Sequence, residues 1–486
     1  MASGEEYFGV NNSDNPCLNP VVVRFLWAIN HVSFIAIFNI KHFLSRTRPL
    51  GQYYILQMAE VIDIEAPDPI FDANLWIGKG KKYPEKSIPF EVSAARNEIL
   101  SIPQHVKNNL PNPHLSIAQF IQQGLPPQSS AINTTKISRW FSKVAPSTYD
   151  VAILMARPIP PQSVLVDLDK SFGQQWFDGA QSICDPRFNN GTERLPFWVL
   201  TLWKELARIV GAQAVWRKSE EWLNREARHG GEGAASMKTA IMLLTSIRWD
   251  APVSALGSST TTAEFSRLLR TEWISDELLN MMMEDLSFRA RIDPNIPSNI
   301  KIGPVSFLQA IVTAAVNKTY TKQSAPLLYR YECAVMSSEC NQLYFPAHIH
   351  GNHWVAIKVD FKKREISYGM KLLCNQTIGC KLIFSLTGDS LEDMIPPPSE
   401  FIKNLQSWLK TRFGGLFQHG TKLKHGKQND GHSCGICTAN TIAVAVLGGD
   451  IWTSKRSAVE RVDWFSRLVT RHLNDVSTLD IFATNH

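Results

Sequence analysis

Cys434 follows a polar loop, Gln428-Asn429-Asp430-Gly431-His432-Ser433, and precedes Gly435. It opens an apolar, alanine-rich run, Thr438 to Leu447, that reads as a buried helix. Far upstream, His353-Trp354 begins an alternating segment ending at Asp360 that reads as a strand. A cysteine at a helix N-terminus, with a histidine brought in from a strand, is the arrangement that thiol-nucleophile chemistry requires. The thiolate is the attacking species. A free cysteine has a pKa of roughly 8.5, and a helix N-terminus with a neighbouring imidazolium lowers it. The histidine takes or holds the proton and later gives it to the leaving amine. A third group must fix the imidazole tautomer. A side-chain amide close to the nucleophile can donate to the oxyanion, and Gln428 stands in the loop where it could do so.

The elements that must hold these groups are legible from about residue 265 onward. Helices are expected at about 274 to 289 and 304 to 316, and strands at about 330 to 336, 341 to 347, 353 to 360 and 364 to 368. A helix from Ser399 to Phe413 follows the stop at Pro396-Pro397-Pro398. The nucleophile helix comes next, then an amphipathic helix from Ser454 to Asn474. Helices around a mainly antiparallel sheet make an α+β fold.

Upstream, residues 165–255 read as a helical accessory region, with runs from Leu195 to Val210 and from Val215 to Arg228. Pro196 suits a helix start. Trp198, Trp203, Trp216 and Trp222 are candidates to pack that region. Residues 1–150 show no strong periodicity and are expected to be partly irregular, punctuated by Pro111, Pro113, Pro126-Pro127 and Pro158 to Pro161. Gly230-Gly231 and Gly257 to Thr262 read as linker or loop, which puts a boundary near 255 to 268.

At these residues the chain resembles the ubiquitin-like-protein proteases, the SUMO-protease family of papain-like thiol proteases. The family carries His-Trp on one strand, an Asp in a Tyr-x-Asp-Ser-Leu-like segment on the next, and then Gln-x5-Cys-Gly. His353-Trp354 match the first motif, and Gln428, Cys434 and Gly435 match the last with the same spacing. Trp273-Ile274-Ser275-Asp276-Glu277-Leu278-Leu279-Asn280 is similar to the family's opening segment. The resemblance covers roughly 265–475, under half the chain. It implies a papain-like protease domain over 265–486, with Trp273 and Trp354 walling a narrow tunnel for the Gly-Gly tail of a modifier and Asp276 beside them. Two flat indoles can sandwich a dipeptide without side chains and exclude anything bulkier. The plainer reading of both is as core tryptophans.

One motif is broken. The chain reads Ile366-Ser367-Tyr368-Gly369-Met370, and methionine cannot orient an imidazole by accepting its hydrogen bond with any strength. Further on comes Asp389-Ser390-Leu391. Joining Tyr368-Gly369 to Asp389 restores the family segment, so Met370 to Gly388 reads as a retained intron or an insertion that loops out. Asp389 is then the triad carboxylate. The alternative leaves Asp389 on a surface loop and the triad incomplete, which slows such chemistry rather than abolishing it.

Other classes are weakly supported. Among 486 residues, 50 basic against 44 acidic side chains give a net charge of +6, which does not argue for nucleic acid. Eight scattered cysteines make no disulfide framework and favour an intracellular compartment, nucleus or cytoplasm. The first residues offer no convincing signal peptide, and the apolar run Val21 to Ile40 is interrupted by Arg24, Asn30 and His31, so a membrane span is not favoured. Cys434-Gly435-Ile436-Cys437 lacks the βαβ setting of a redox Cys-x-x-Cys. Cys333, Cys340, His348, His350, His353 and His432 match no familiar zinc spacing, so no metal and no cofactor is expected.

The resulting expectation is a cysteine protease cleaving after the Gly-Gly tail of a ubiquitin-like modifier, SUMO foremost, and acting on its conjugates or precursor. Cys434 is nucleophile, His353 base and acid, Asp389 orienter and Gln428 oxyanion donor. The rival is a catalytically impaired relic, derived from a mobile element, that only binds the modifier. Keeping His353, Gln428 and Cys434 together argues against it.

Overall fold

The computed structural model describes residues 88–129, 136–231, 233–349, 351–367 and 399–484. The expected segment Met370 to Gly388 and Asp389 lie outside them, as do Tyr368, His350 and the run Val21 to Ile40.

The N-terminal half of the described chain is helical. Its main elements are α1 (Phe90–Glu98), α2 (Gln162–Phe177), α3 (Trp198–Arg228) and α4 (Ala234–Leu243), with a small antiparallel pair of β1 (Phe141–Ser142) and β2 (Ser182–Ile183). The two expected runs around Trp198 and Trp216 are one continuous 31-residue helix. Nothing approaches a Cβ built on Gly211, so the glycine between the runs does not break it. Its first half packs with α2 in one core that includes Trp140, Leu168, Trp198, Trp203 and Leu206. Its second half joins another core: Trp216, Trp222 and Leu223 share it with Leu268, Met282 and Phe465.

The rest is organised on a five-stranded sheet. It contains β3 (Ile300–Ile302), β4 (Gln342–Ile349), β5 (His353–Asp360), β6 (Glu365–Ser367) and β7 (Gln418–His419), in that spatial order. The two inner pairings are antiparallel, and β4 with β5 gives the longest ladder, from Gln342↔Asp360 to Ile349↔His353. The two edge pairings are parallel and short. The helices are α5 (Asp276–Ile292), α6 (Phe307–Val316), α7 (Pro326–Met336), α8 (Ser399–Phe413), α9 (Cys434–Leu447) and α10 (Ser457–Thr484). This is the α+β arrangement expected from the sequence.

β5 is buried on both faces. Trp354 and Ala356 belong to the core under α9 and α10, while Val355, Ile357 and Val359 belong to the core under α6 and α8. Side chains alternate across a strand, so one strand feeds two cores. α9 is apolar nearly all round because it lies between the sheet and the outer helices.

One expected element is corrected. Residues 330 to 336 form no strand; they are the end of helix α7. Pro326 occupies its first turn, where a missing N–H does no harm. The buried Glu332 fits the helix because it accepts from Trp408 Nε1 at 2.9 Å and Arg412 Nε at 2.8 Å on α8. Cys333 therefore lies on an exposed helix face rather than on a strand.

Candidate active site

Cys434 is the first residue of α9 and is buried, as are Gly435 and Cys437 behind it. Seen from the thiol, the helix presents its unpaired first N–H groups and the positive end of its dipole. Ser433 precedes it but makes no side-chain cap bond. Asp430 instead holds the turn that leads into the helix. Its Oδ1 accepts from the backbone N–H of His432 at 2.9 Å and of Ser433 at 2.8 Å, and its Oδ2 accepts from Ser433 Oγ at 2.9 Å. Burial pushes the Asp430 carboxyl up, but these donors and the adjacent His432 outweigh it, so the net shift is downward. Sequence reasoning missed this residue; an acid four positions before the nucleophile was its only signal.

Gln428 is buried in the same loop, and its amide nitrogen donates to Asp430, to the carbonyl at 2.5 Å and to Oδ1 at 3.0 Å. An oxyanion bond from Gln428 would replace part of that pairing. The loop is held from below by Arg461 of α10, only 1% exposed. Its Nη2 donates to the carbonyls of Glu272 at 2.7 Å and His432 at 3.3 Å, and its Nη1 to that of Arg267 at 3.2 Å. Burial lowers its pKa to about 10, against the pull of Asp430, Cys437, Cys434 and Glu272. The positive charge thus sits within electrostatic reach of the nucleophile.

His353 is buried at the start of β5, and Trp354 next to it reaches the start of α9. A Cβ built on Gly435 would lie 3.6 Å from Trp354 Cδ1 and 2.5 Å from both Cδ1 and Cγ1 of Ile274. Hence Gly435 is the meeting point of three motifs that are far apart in sequence. The neighbours of His353, Cys434 and Trp273 touch one another there. A side chain at 435 would force them apart, which is the physical reason for glycine after the cysteine.

Trp273 is 44% exposed while Trp354 is buried, so the two expected tunnel walls differ. The His348 ring covers Trp354, with centroids 4.5 Å apart, across the register pair His348↔Trp354. Partial burial lowers the His348 pKa; Asp276 opposes that and His353 reinforces it. Asp276, the first residue of α5, is exposed and lines a cavity of about 530 Å³ with Glu277, Val305, His348 and Trp354. His348 is exposed on β4 even though its ring lies on Trp354. Its place opposite Trp354 is set by strand register, which the sequence shows only once the hairpin is known.

Among the described residues no three His, Cys, Asp or Glu side chains gather into a metal site. None of the described helices is long and apolar enough to cross a membrane. Cys340 is buried, its thiol pushed up to about 12.

No family model matches the chain, and no curated protein matches it. Among solved structures it is similar to the C-terminal Ulp1 protease domain in complex with Smt3, the yeast ortholog of SUMO. That alignment has 15% identity, covers 49% of this chain and 96% of that chain, and has a TM-score of 0.34. A Chaetomium thermophilum Ulp1-like SUMO protease catalytic domain gives 13% identity, 45% and 81% coverage and a TM-score of 0.34. The Xanthomonas campestris effector protein XopD bound to ubiquitin gives 15%, 40% and 91%, and 0.26. Likeness at these values establishes neither family nor activity.

Proposed function

We propose that this chain is a cysteine peptidase that hydrolyses the bond after the Gly-Gly tail of a ubiquitin-like modifier, SUMO foremost. The observation that carries this reading is the junction at Gly435, where the segments bearing Trp273, His353-Trp354 and Cys434 pack against one another. Cys434 attacks the tail carbonyl, and His353 holds the thiol proton and then delivers it to the departing amine. Asp389 orients the imidazole. The N–H groups at the start of α9 and one N–H of Gln428, released from Asp430, stabilise the oxyanion. Water then cleaves the acyl-enzyme with His353 again as base.

The same reading assigns Trp273 and Trp354 to the tail channel, and Asp276 to the side of it. The partners are the modifier and its conjugates, in the nucleus or cytoplasm. No metal or cofactor takes part in these steps. Residues 265–486 are the catalytic domain, with 165–255 a helical accessory region that shares its core.

Covalent labelling by SUMO, ubiquitin and Nedd-like probes carrying a C-terminal electrophile tests this. The written chain, a Cys434→Ala variant and a version lacking Met370 to Gly388 are compared. Labelling of the first that disappears in Cys434→Ala is expected, and the probe that labels names the modifier. Labelling only without the insert assigns activity to the shortened chain. Binding without labelling in either version would replace this function with that of a modifier-binding relic.

A further inference from the structure

Besides the packing of Ile274 on Gly435, one side chain bonds both the residues next to Cys434 and the segment that carries Trp273. Arg461 donates to the carbonyl of Glu272, the residue before Trp273, and to that of His432, two residues before Cys434. Glu272 is 189 positions from Arg461 and His432 is 29. Among the described residues no backbone–backbone hydrogen bond joins 270–274 to 430–434. The third donation, to Arg267, anchors the same guanidinium to the 3-10 helix Thr262–Leu269. Arg461 Nε is buried with no hydrogen-bond partner among the described residues.

A buried guanidinium with an unused N–H is an expensive device for stability alone, because a well-packed apolar residue would do as well or better. What a guanidinium offers is geometry: its planar fork presents several N–H groups in fixed directions, so it can hold separate carbonyls at a set spacing. Lysine keeps the charge but offers one flexible nitrogen.

We infer that Arg461 is a positioning residue that fixes the distance between the Trp273 segment and the Cys434 loop, and so sets how narrow the channel is at the scissile bond. This rests on the proposed peptidase reading. The substrate class follows from it: a tail with no side chains at the last two positions, against tails bearing even one methyl there. Arg461 touches neither substrate nor thiol and acts through the two backbone segments it holds.

The test uses the full chain with Arg461→Lys and Arg461→Met. The first readout is backbone hydrogen exchange. Arg461→Lys should raise exchange of the His432 and Ser433 N–H groups, which donate to Asp430 in the loop that Arg461 holds, by about tenfold or more. Exchange elsewhere in α10 and in β5 should stay near wild type. Wild-type exchange at both of these N–H groups in Arg461→Lys would overturn the clamp. So would an increase spread along the whole of α10.

The second readout is kcat/KM on modifier fusions ending in Gly-Gly and in Gly-Ala. The Arg461→Lys variant should lower the Gly-Gly to Gly-Ala preference by roughly tenfold, the scale of one methyl in a tight pocket. Reduced turnover with an unchanged preference would mean a merely structural role and would also overturn it. If wild type is not labelled by any modifier probe, the peptidase reading fails by itself, and the exchange pattern alone decides the clamp.

Discussion

Gly435→Ala sets two sizeable effects against each other, and the geometry says which wins. Ala is worth up to about 1 kcal/mol over Gly within a helix. The new methyl, however, would lie 2.5 Å from both Cδ1 and Cγ1 of Ile274. Carbon atoms rest at about 3.5–4.0 Å, so the overlap is on the order of 1 Å with two atoms at once. Ile274 is 5% exposed and cannot swing into solvent without leaving its core. Overpacking of this kind costs roughly 1–3 kcal/mol, so even against the full helix gain the net loss is about 1 kcal/mol at mid-range and up to about 2.

Urea unfolding of wild type, Gly435→Ala, Ile274→Ala and the double variant measures this, with unchanged m-values as the check on two-state behaviour. Ile274→Ala alone should lose about 2–5 kcal/mol. The double variant should lose less than the sum of the singles by about 1–3 kcal/mol, because the clash disappears with the side chain. Labelling of Cys434 by the modifier probe should fall in Gly435→Ala by more than the unfolded fraction explains, since Trp354 and Ile274 are moved apart. A Gly435→Ala protein as stable as wild type, or more so, would refute the reasoning. Additive losses in the double variant would do the same.

Asp430→Ala should lose about 1–3 kcal/mol, since it strips the acceptor from the His432 and Ser433 N–H groups. Probe labelling of Cys434 should fall in parallel, and wild-type values on both counts would show that the loop holds itself. The pH response follows from four histidines, His348, His419, His432 and His472, whose pKa values are lowered first of all by burial. At His472 the cause is visible, because its Nδ1 accepts the Ser254 N–H at 3.1 Å and must be unprotonated to do so. A folded pKa below the unfolded value of about 6.5 gives stability that is complete above that pH and is lost as pH falls towards the folded values. Burial raises Asp285 and Glu460, which acts in the opposite sense on acidification, but from ordinary carboxylate values about 2 units below that of histidine. Calorimetry should therefore show a lower Tm at pH 5.5 than at pH 7.5, and an equal or higher Tm at pH 5.5 would contradict this.

Local pattern carried the elements that present the chemistry. Alternation identified β5, and the apolar run identified α9. These signals are short-range, because periodicity depends on residues within a few turns. α7 was misread because Leu327 to Met336 mixes apolar and polar residues at both periods, and a partner on α8 settled it.

Tertiary structure alone decided the rest. Nothing within a few residues of Arg461 says that it will meet Glu272 and His432. Nothing near His348 says that it will lie over Trp354. The burial of β5 on both faces needed helices from two distant parts of the chain. The sequence thus determined which side chains could react, since that is a property of residue type and local backbone. The spacing between them is set by contacts across the chain, at Gly435 and through Arg461, and only the folded molecule contains those.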